Sequence, residues 1–309
     1  MTEKRLPYLL GLIILQIQET YTYYRRLVFP AVPAGYEKSD EAFLAVPGLF
    51  RVMLFSAFCM AFSFLVVKVL SILMLTGLLR LNNINHIYSI FNIYYLPGDD
   101  SNWTDGSLLV VYGIPYLIFL TVSMYLTGFV VRQRKLNWIL RLILAWIAFQ
   151  FMAYFLSELI LAAFFYKGFG IALQWLISNY LLKVGIIVVG VIGIFYWTKR
   201  FGLMFLRCCP SRIFIDDPAI MRTWLIWVLL IPLFSGPVYL LLILLFSLKI
   251  AIASTFAAAL ITLPLAFRSI EYLPDVRIYK SKKVVPGLFF TIILMIALGL
   301  VVRALIFFV

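Results

Sequence analysis

Glu158 and Lys183 carry the chemistry that stands out, because each sits inside a long apolar run where hydrocarbon would be the local solvent. Glu158 ends the series Gln150, Tyr154, Glu158, spaced by four, with Ser157 beside it. At about 3.6 residues per turn that spacing draws one polar stripe down an otherwise apolar helix. Asn179 and Lys183 are also four apart, and Gly190 follows seven beyond, so these three share a face of the next helix. The two runs meet at a short turn around Lys167, Gly168, Phe169 and Gly170. With a rise of about 1.5 Å per residue, Glu158 lies roughly 12 Å and Lys183 roughly 18 Å from that turn. Side chains of that reach meet if the stripes face each other. Lys68, in an earlier apolar run, lies at a similar depth.

A charge at bilayer depth costs a few kcal/mol or more, so it needs a partner or a task. Two readings follow. In the functional one, Gln150, Tyr154, Glu158, Asn179 and Lys183 line a substrate-binding pocket in which Lys183 neutralises Glu158 and Lys68 supplies a spare cation. Such a pocket suits a small anionic or lipid-linked solute, or a proton relay. In the structural one, Glu158 and Lys183 form an ion pair that only fixes packing. Lys68, and Arg141 near its run's start, would then snorkel along their own stems. A second feature is the helix break expected at Pro232, Ser235, Gly236 and Pro237, where two missing backbone donors and a glycine favour unwinding.

Other chemistry is excluded by what the sequence lacks. With one histidine, His86, a His-Glu-x-x-His zinc site is impossible, and a Ser–His dyad has no supporting motif. No P-loop or Gly-x-Gly-x-x-Gly occurs, and the three cysteines (Cys59, Cys208, Cys209) make neither a disulfide framework nor a C-x-x-C pair. Asp216 and Asp217 are explained by a helix cap before Pro218 rather than by magnesium binding. Cys208 and Cys209 read as acylation sites or as small apolar residues at the membrane edge. Asn102, Trp103 and Thr104 form a chance-prone glycosylation triplet. No cofactor, metal or catalytic residue is expected.

The elements that must hold these residues follow from composition. The chain has 309 residues, 64% apolar and 13% charged, which leaves a soluble fold nowhere to put its surface. In lipid every spanning segment must satisfy its own backbone, and uninterrupted apolar runs mean helices. The expected fold is therefore all-α, a polytopic bundle of about seven transmembrane helices with an amino-terminal interfacial helix. Residues 1–51 hold the interfacial helix and connector, and 52–309 the bundle as a single domain. The apolar stretch 6–15 is too short to cross, and no cleavage site follows it, so it is read as lying on the membrane.

Crossings are expected at 52–79, 108–131, 138 to about 166, 171–197, two within 224–267 turning near Ser247 to Lys249, and 284 to the end. The segment 80–107 is the one long polar loop. Ala45 to Phe50 resembles Val284 to Phe289, which proline in a first helical turn explains without a duplication. Nineteen of the 26 lysines and arginines fall in the amino-terminal region and three loops on one side of this topology. That asymmetry, and not nucleic-acid binding, accounts for the net charge of +13. It puts the amino terminus in the cytoplasm and the carboxyl terminus outside, in what reads as a bacterial inner membrane. The partners implied are the lipid bilayer and other membrane subunits. A non-catalytic subunit or scaffold is the first expectation for function, and a transporter using the Glu/Lys pocket the second.

Overall fold

The computed structural model describes residues 46–88, 93–95, 103–133, 136–162, 168–176, 179–209, 218–243 and 286–307. Its elements are α1 (Val46–Leu81), a ribbon of β1 (His86–Tyr88) and β2 (Ile93–Tyr95), α2 (Asp105–Arg132), α3 (Trp138–Ala162), α4 (Phe169–Leu176) and α5 (Tyr180–Leu206). Then come α6 (Pro218–Leu225), a π-helical turn (Ile226–Leu230), α7 (Ile231–Ile243) and α8 (Leu288–Phe307). The protein is a helical bundle, with the three-residue antiparallel ribbon its only sheet among the described residues.

Four segments are long and apolar enough to cross a bilayer: Gly48–Leu81, Asp105–Arg132, Trp138–Leu159 and Ile220–Leu240. This is a membrane-embedded architecture. The apolar helix Leu288–Arg303 is shorter. The interfacial helix, the turn near Ser247 to Lys249 with the crossing that follows it, and the loop at 268–283 fall outside the described residues.

Several expected boundaries move. α1 starts at Val46, with Pro47 in its first turn, so Arg51 lies within the helix. Thr104 caps α2: its hydroxyl accepts from the Ser107 N–H at 3.1 Å while Ser107 Oγ bonds the Thr104 N–H at 2.8 Å. The run 171–197 is not one helix. It divides into α4 and α5, and α5 continues past Trp197 to Leu206, because Phe201, Met204 and Phe205 pack into the core beside Trp146 and Phe149.

Arg141 does not snorkel. It is 3% exposed, and its guanidinium donates to the Arg207 carbonyl at 3.1 Å and the Gln133 carbonyl at 3.0 Å. Gln133 and Arg207 are the C-caps of α2 and α5, whose last carbonyls have no helical donor and sit at the negative end of the helix dipole. A planar fork with several donors is suited to bridging two such ends. Arg207 in turn donates to the Val131 carbonyl. Cys208 and Cys209 are buried beside this clamp, which removes them as acylation sites. Burial pushes the Cys208 thiol up to about 12, with Arg141 pulling the other way.

The proline segment is also not unwound. α7 runs through Pro232, Ser235, Gly236 and Pro237, and the irregularity is displaced to the π-turn ahead of them. Proline at 232 lacks the N–H that would bond the carbonyl of Val228, four residues back. That carbonyl is met from α1, where Ser56 Oγ donates to it at 2.5 Å. Trp146 Nε1 of α3 donates to the same Ser56 hydroxyl at 2.8 Å, so one buried oxygen ties three helices. One turn along, Met60 packs over Gly236, where a Cβ would lie 2.4 Å from its sulfur.

Replacing Ser56 by alanine strands the Val228 carbonyl and the Trp146 N–H together, and should cost about 2–4 kcal/mol at about 1–2 per unmet buried group. Ser63→Ala removes only a 2.8 Å bond to Met60 of its own helix and should cost far less. Unfolding in mixed micelles compares the two. Arg141→Lys should destabilise as well, since an ammonium cannot reproduce the two-ended fork.

Candidate functional site

The polar stripe of α3 meets α1, α2 and the start of α4. Tyr116 of α2 and Tyr154 of α3 stack with ring centroids 5.9 Å apart and planes within 8°. Ser71 of α1 donates to the Lys68 carbonyl at 2.7 Å, a back-bond within that helix. Phe119 and Phe151 pack edge-on and tilted beneath the stack.

The Glu158 carboxylate and the Tyr116 hydroxyl both lie against Gly168, just ahead of Phe169 at the start of α4, where the helix dipole favours a negative charge. Gly168 makes that approach possible. It has φ +55°, and a Cβ there would lie 2.6 Å from Glu158 Oε2 and 2.9 Å from Tyr116 Oη. Only glycine fits both the backbone and the space.

The charge within range of Glu158 is Lys68, not Lys183. The two do not touch: among the described residues the Lys68 ammonium makes no ion pair or side-chain hydrogen bond. Lys68, Tyr154 and Glu158 are all half-buried, as are Gly168 and Phe169. Lys68 is about 26 Å along its helix from Arg51, and Glu158 about 30 Å from Trp138 at 1.5 Å per residue, which puts them at nearly one level.

The other expected site residues lie apart. Asn179 is exposed and serves as the N-cap of α5, its side chain accepting from the Leu181 N–H at 2.9 Å. Lys183 follows one turn later, half-buried on a stretch whose neighbours Leu181, Leu182 and Val184 face outwards. The split between α4 and α5 is what carries it away from Glu158. Gln150 is 1% exposed, one turn below Tyr154, and its Nε2 has no hydrogen-bond partner. The Ser235 hydroxyl on α7 is likewise buried without a partner. Among the described residues no group of three or more His, Cys, Asp or Glu is placed to hold a metal ion.

Tyr116 and Ser71 belong to the site although spacing on α3 and α5 gave no reason to choose them. The signal for Tyr116 is its position one turn after Tyr112 in an apolar helix, which lines up two phenols on one face.

Gly168→Ala should cost about 1–3 kcal/mol from strain and displaced hydrogen bonds. The same substitution in a Glu158→Ala background should cost measurably less, because the carboxylate it collides with is gone. A double-mutant cycle in thermal unfolding reads the coupling. Equal costs in both backgrounds would mean that Glu158 does not occupy the space over Gly168.

Comparison of the chain with protein-family models, curated proteins and solved structures finds no match in any of the three.

Proposed function

We propose that this is a polytopic membrane protein that binds a small charged solute in the crevice between Lys68 and Glu158 and carries it across the bilayer. The observation that supports this is the separation of the two opposite charges. In a low-dielectric setting a lysine and a glutamate with only a packing role gain most by closing to a contact pair. Here Glu158 is seated against Gly168 beside Tyr116, and among the described residues Lys68 has no ion-pair partner. Both retain exposed surface.

The finer topology belongs to the same proposal: seven crossings, amino terminus in the cytoplasm and carboxyl terminus outside, in a bacterial inner membrane. Its support is the one-sided distribution of basic residues. The crevice then lies in the outer half of the bilayer, nearer the polar ribbon than the Arg141 clamp.

The second reading, a non-catalytic subunit or scaffold, draws support from the broad apolar faces of α5 and α8. Leu181, Val189 and Ile192 on one, and Phe289, Ile296 and Leu300 on the other, are each more than half exposed. Such faces suit lipid or neighbouring subunits equally.

Water access separates the two. Lys68→Cys, in the full chain in membranes, should react with a small charged methanethiosulfonate reagent that does not cross lipid. The three native cysteines are buried, and Cys208, pushed up to about 12, stays a thiol at the working pH of about 8, so background is low. Failure of position 68 to react, with a stoichiometric partner on copurification, would transfer support to the subunit reading.

A further inference from the structure

We infer that the end of the bundle where α2 and α5 finish binds an acidic phospholipid, with its phosphate on Arg132 and Arg207 and an acyl chain along the exposed face of α2. Three guanidiniums gather there. Arg141 is buried and spends its fork on the Gln133 and Arg207 carbonyls. Arg207 donates Nη1 to the Val131 carbonyl, but its Nε is enclosed without an acceptor and the residue is only half-buried, so most of its donors are unspent. Arg132 stands between the two held carbonyls of α2, exposed, with no ion pair or side-chain hydrogen bond among the described residues. The negative ends of two helix dipoles sum to about one unit of charge, which offsets one cation of the three. The acidic side chains among the described residues are Asp105, at the opposite end of α2, and Glu158, near the far end of α3. Two positive charges are left facing outwards at one place, and a guanidinium fork matches the oxygens of a phosphate.

The surface leading up to Arg132 decides for a lipid over a soluble phosphate. Phe129, Tyr125, Thr121 and Leu117 precede it at helical spacing, so all five share one face of α2. Tyr125 is 69% exposed and Leu117 57%, and the half-buried Phe129 ring stacks on Tyr125 with centroids 6.3 Å apart. Thr121 spends its hydroxyl on the Leu117 carbonyl at 2.9 Å, which keeps the middle of the stripe apolar. From Leu117 to Arg132 the stripe runs about 22 Å at 1.5 Å per residue, longer than the roughly 15 Å of hydrocarbon in one leaflet. A chain lying on it therefore stays on protein for its whole depth while its phosphate reaches the arginines. The aromatic pair sits about 5–10 Å below Arg132, the level at which tyrosine is favoured. Net charge sets the headgroup. A choline would carry its own cation to a place already positive, whereas a glycerol headgroup leaves the phosphate charge to the arginines.

Dioleoyl phosphatidylglycerol and dioleoyl phosphatidylcholine test this, because they share their acyl chains and differ in headgroup. Each is titrated into the purified full chain in a nonionic detergent and read by thermal unfolding. Phosphatidylglycerol should raise Tm by about 2 °C or more beyond phosphatidylcholine at equal mole fraction. Arg132→Gln breaks no bond within the protein, and should raise the phosphatidylglycerol needed for a half-maximal shift about five-fold while leaving the phosphatidylcholine response alone. Arg51→Gln is the control for charge without site. Arg51 is exposed at the same end of the bundle, since Ser56 and Trp146, hydrogen-bonded to each other, lie five residues after Arg51 and Arg141. It should leave the lipid preference intact. Equal shifts from the two lipids would overturn the inference, and so would an Arg51→Gln loss as large as that of Arg132→Gln, which would mean diffuse attraction only. Millimolar inorganic phosphate reproducing the phosphatidylglycerol shift would also overturn it, in favour of a soluble phosphate.

Discussion

A polar group of the backbone that loses its helical partner inside hydrocarbon has no water to turn to, and the bundle is built round the places where this happens. Two stand out. The Val228 carbonyl, abandoned by Pro232, is taken by Ser56. The last carbonyls of α2 and α5 are gathered by Arg141 and Arg207. In each case the replacement comes from a different helix, so satisfying the backbone and docking the helices are the same event. The apolar contacts between Trp146, Phe149, Phe201 and Phe205 fill the space these bonds define.

Seen this way, Glu158 has a double character. Its carboxylate sits over Gly168 at the start of α4, which by itself would make it a structural residue. Yet Lys68, whose charge acts on it, makes no ion pair among the described residues. Gly168 is the hinge of this arrangement, because a larger residue would push the carboxylate off its seat.

How much of this was legible in the sequence follows from the range of the interactions. The all-helical membrane class was legible, because it needs only runs of apolar residues. The stripe of Gln150, Tyr154 and Glu158 was legible too, since periodicity on one helix is local information. Which helix faces that stripe is not local. Lys183 was the nearer lysine along the chain, but the extended N-cap at Asn179 made α5 a separate helix, and Lys68, ninety residues before Glu158, came within range instead. Arg141 was misread for a similar reason. A lysine-like escape to the interface was the cheapest local outcome, and two helix ends that accept its guanidinium appear only once the chain is folded. The prolines signalled disturbance correctly but not its site, because the strain was absorbed one turn earlier, where Ser56 could reach.

The π-turn at Ile226–Leu230 has a consequence for the whole segment that contains it. A π-turn holds one residue more than the α-turn it replaces, so the helix on its far side is rotated out of phase with the helix before it. Along the buried stripe the steps run from Trp224 to Val228, then five residues to Leu233, then to Gly236 and Leu240. That single long step is a phase correction written into the chain. Without it the stripe would drift by about 100°, the angle of one residue on an ideal helix, and Gly236 would turn away from Met60 while a bulkier neighbour took its place. The extra residue is thus what lets one continuous rod present a freed carbonyl and, two turns on, a bare backbone to the same flank of α1, where Ser56 and Met60 meet them.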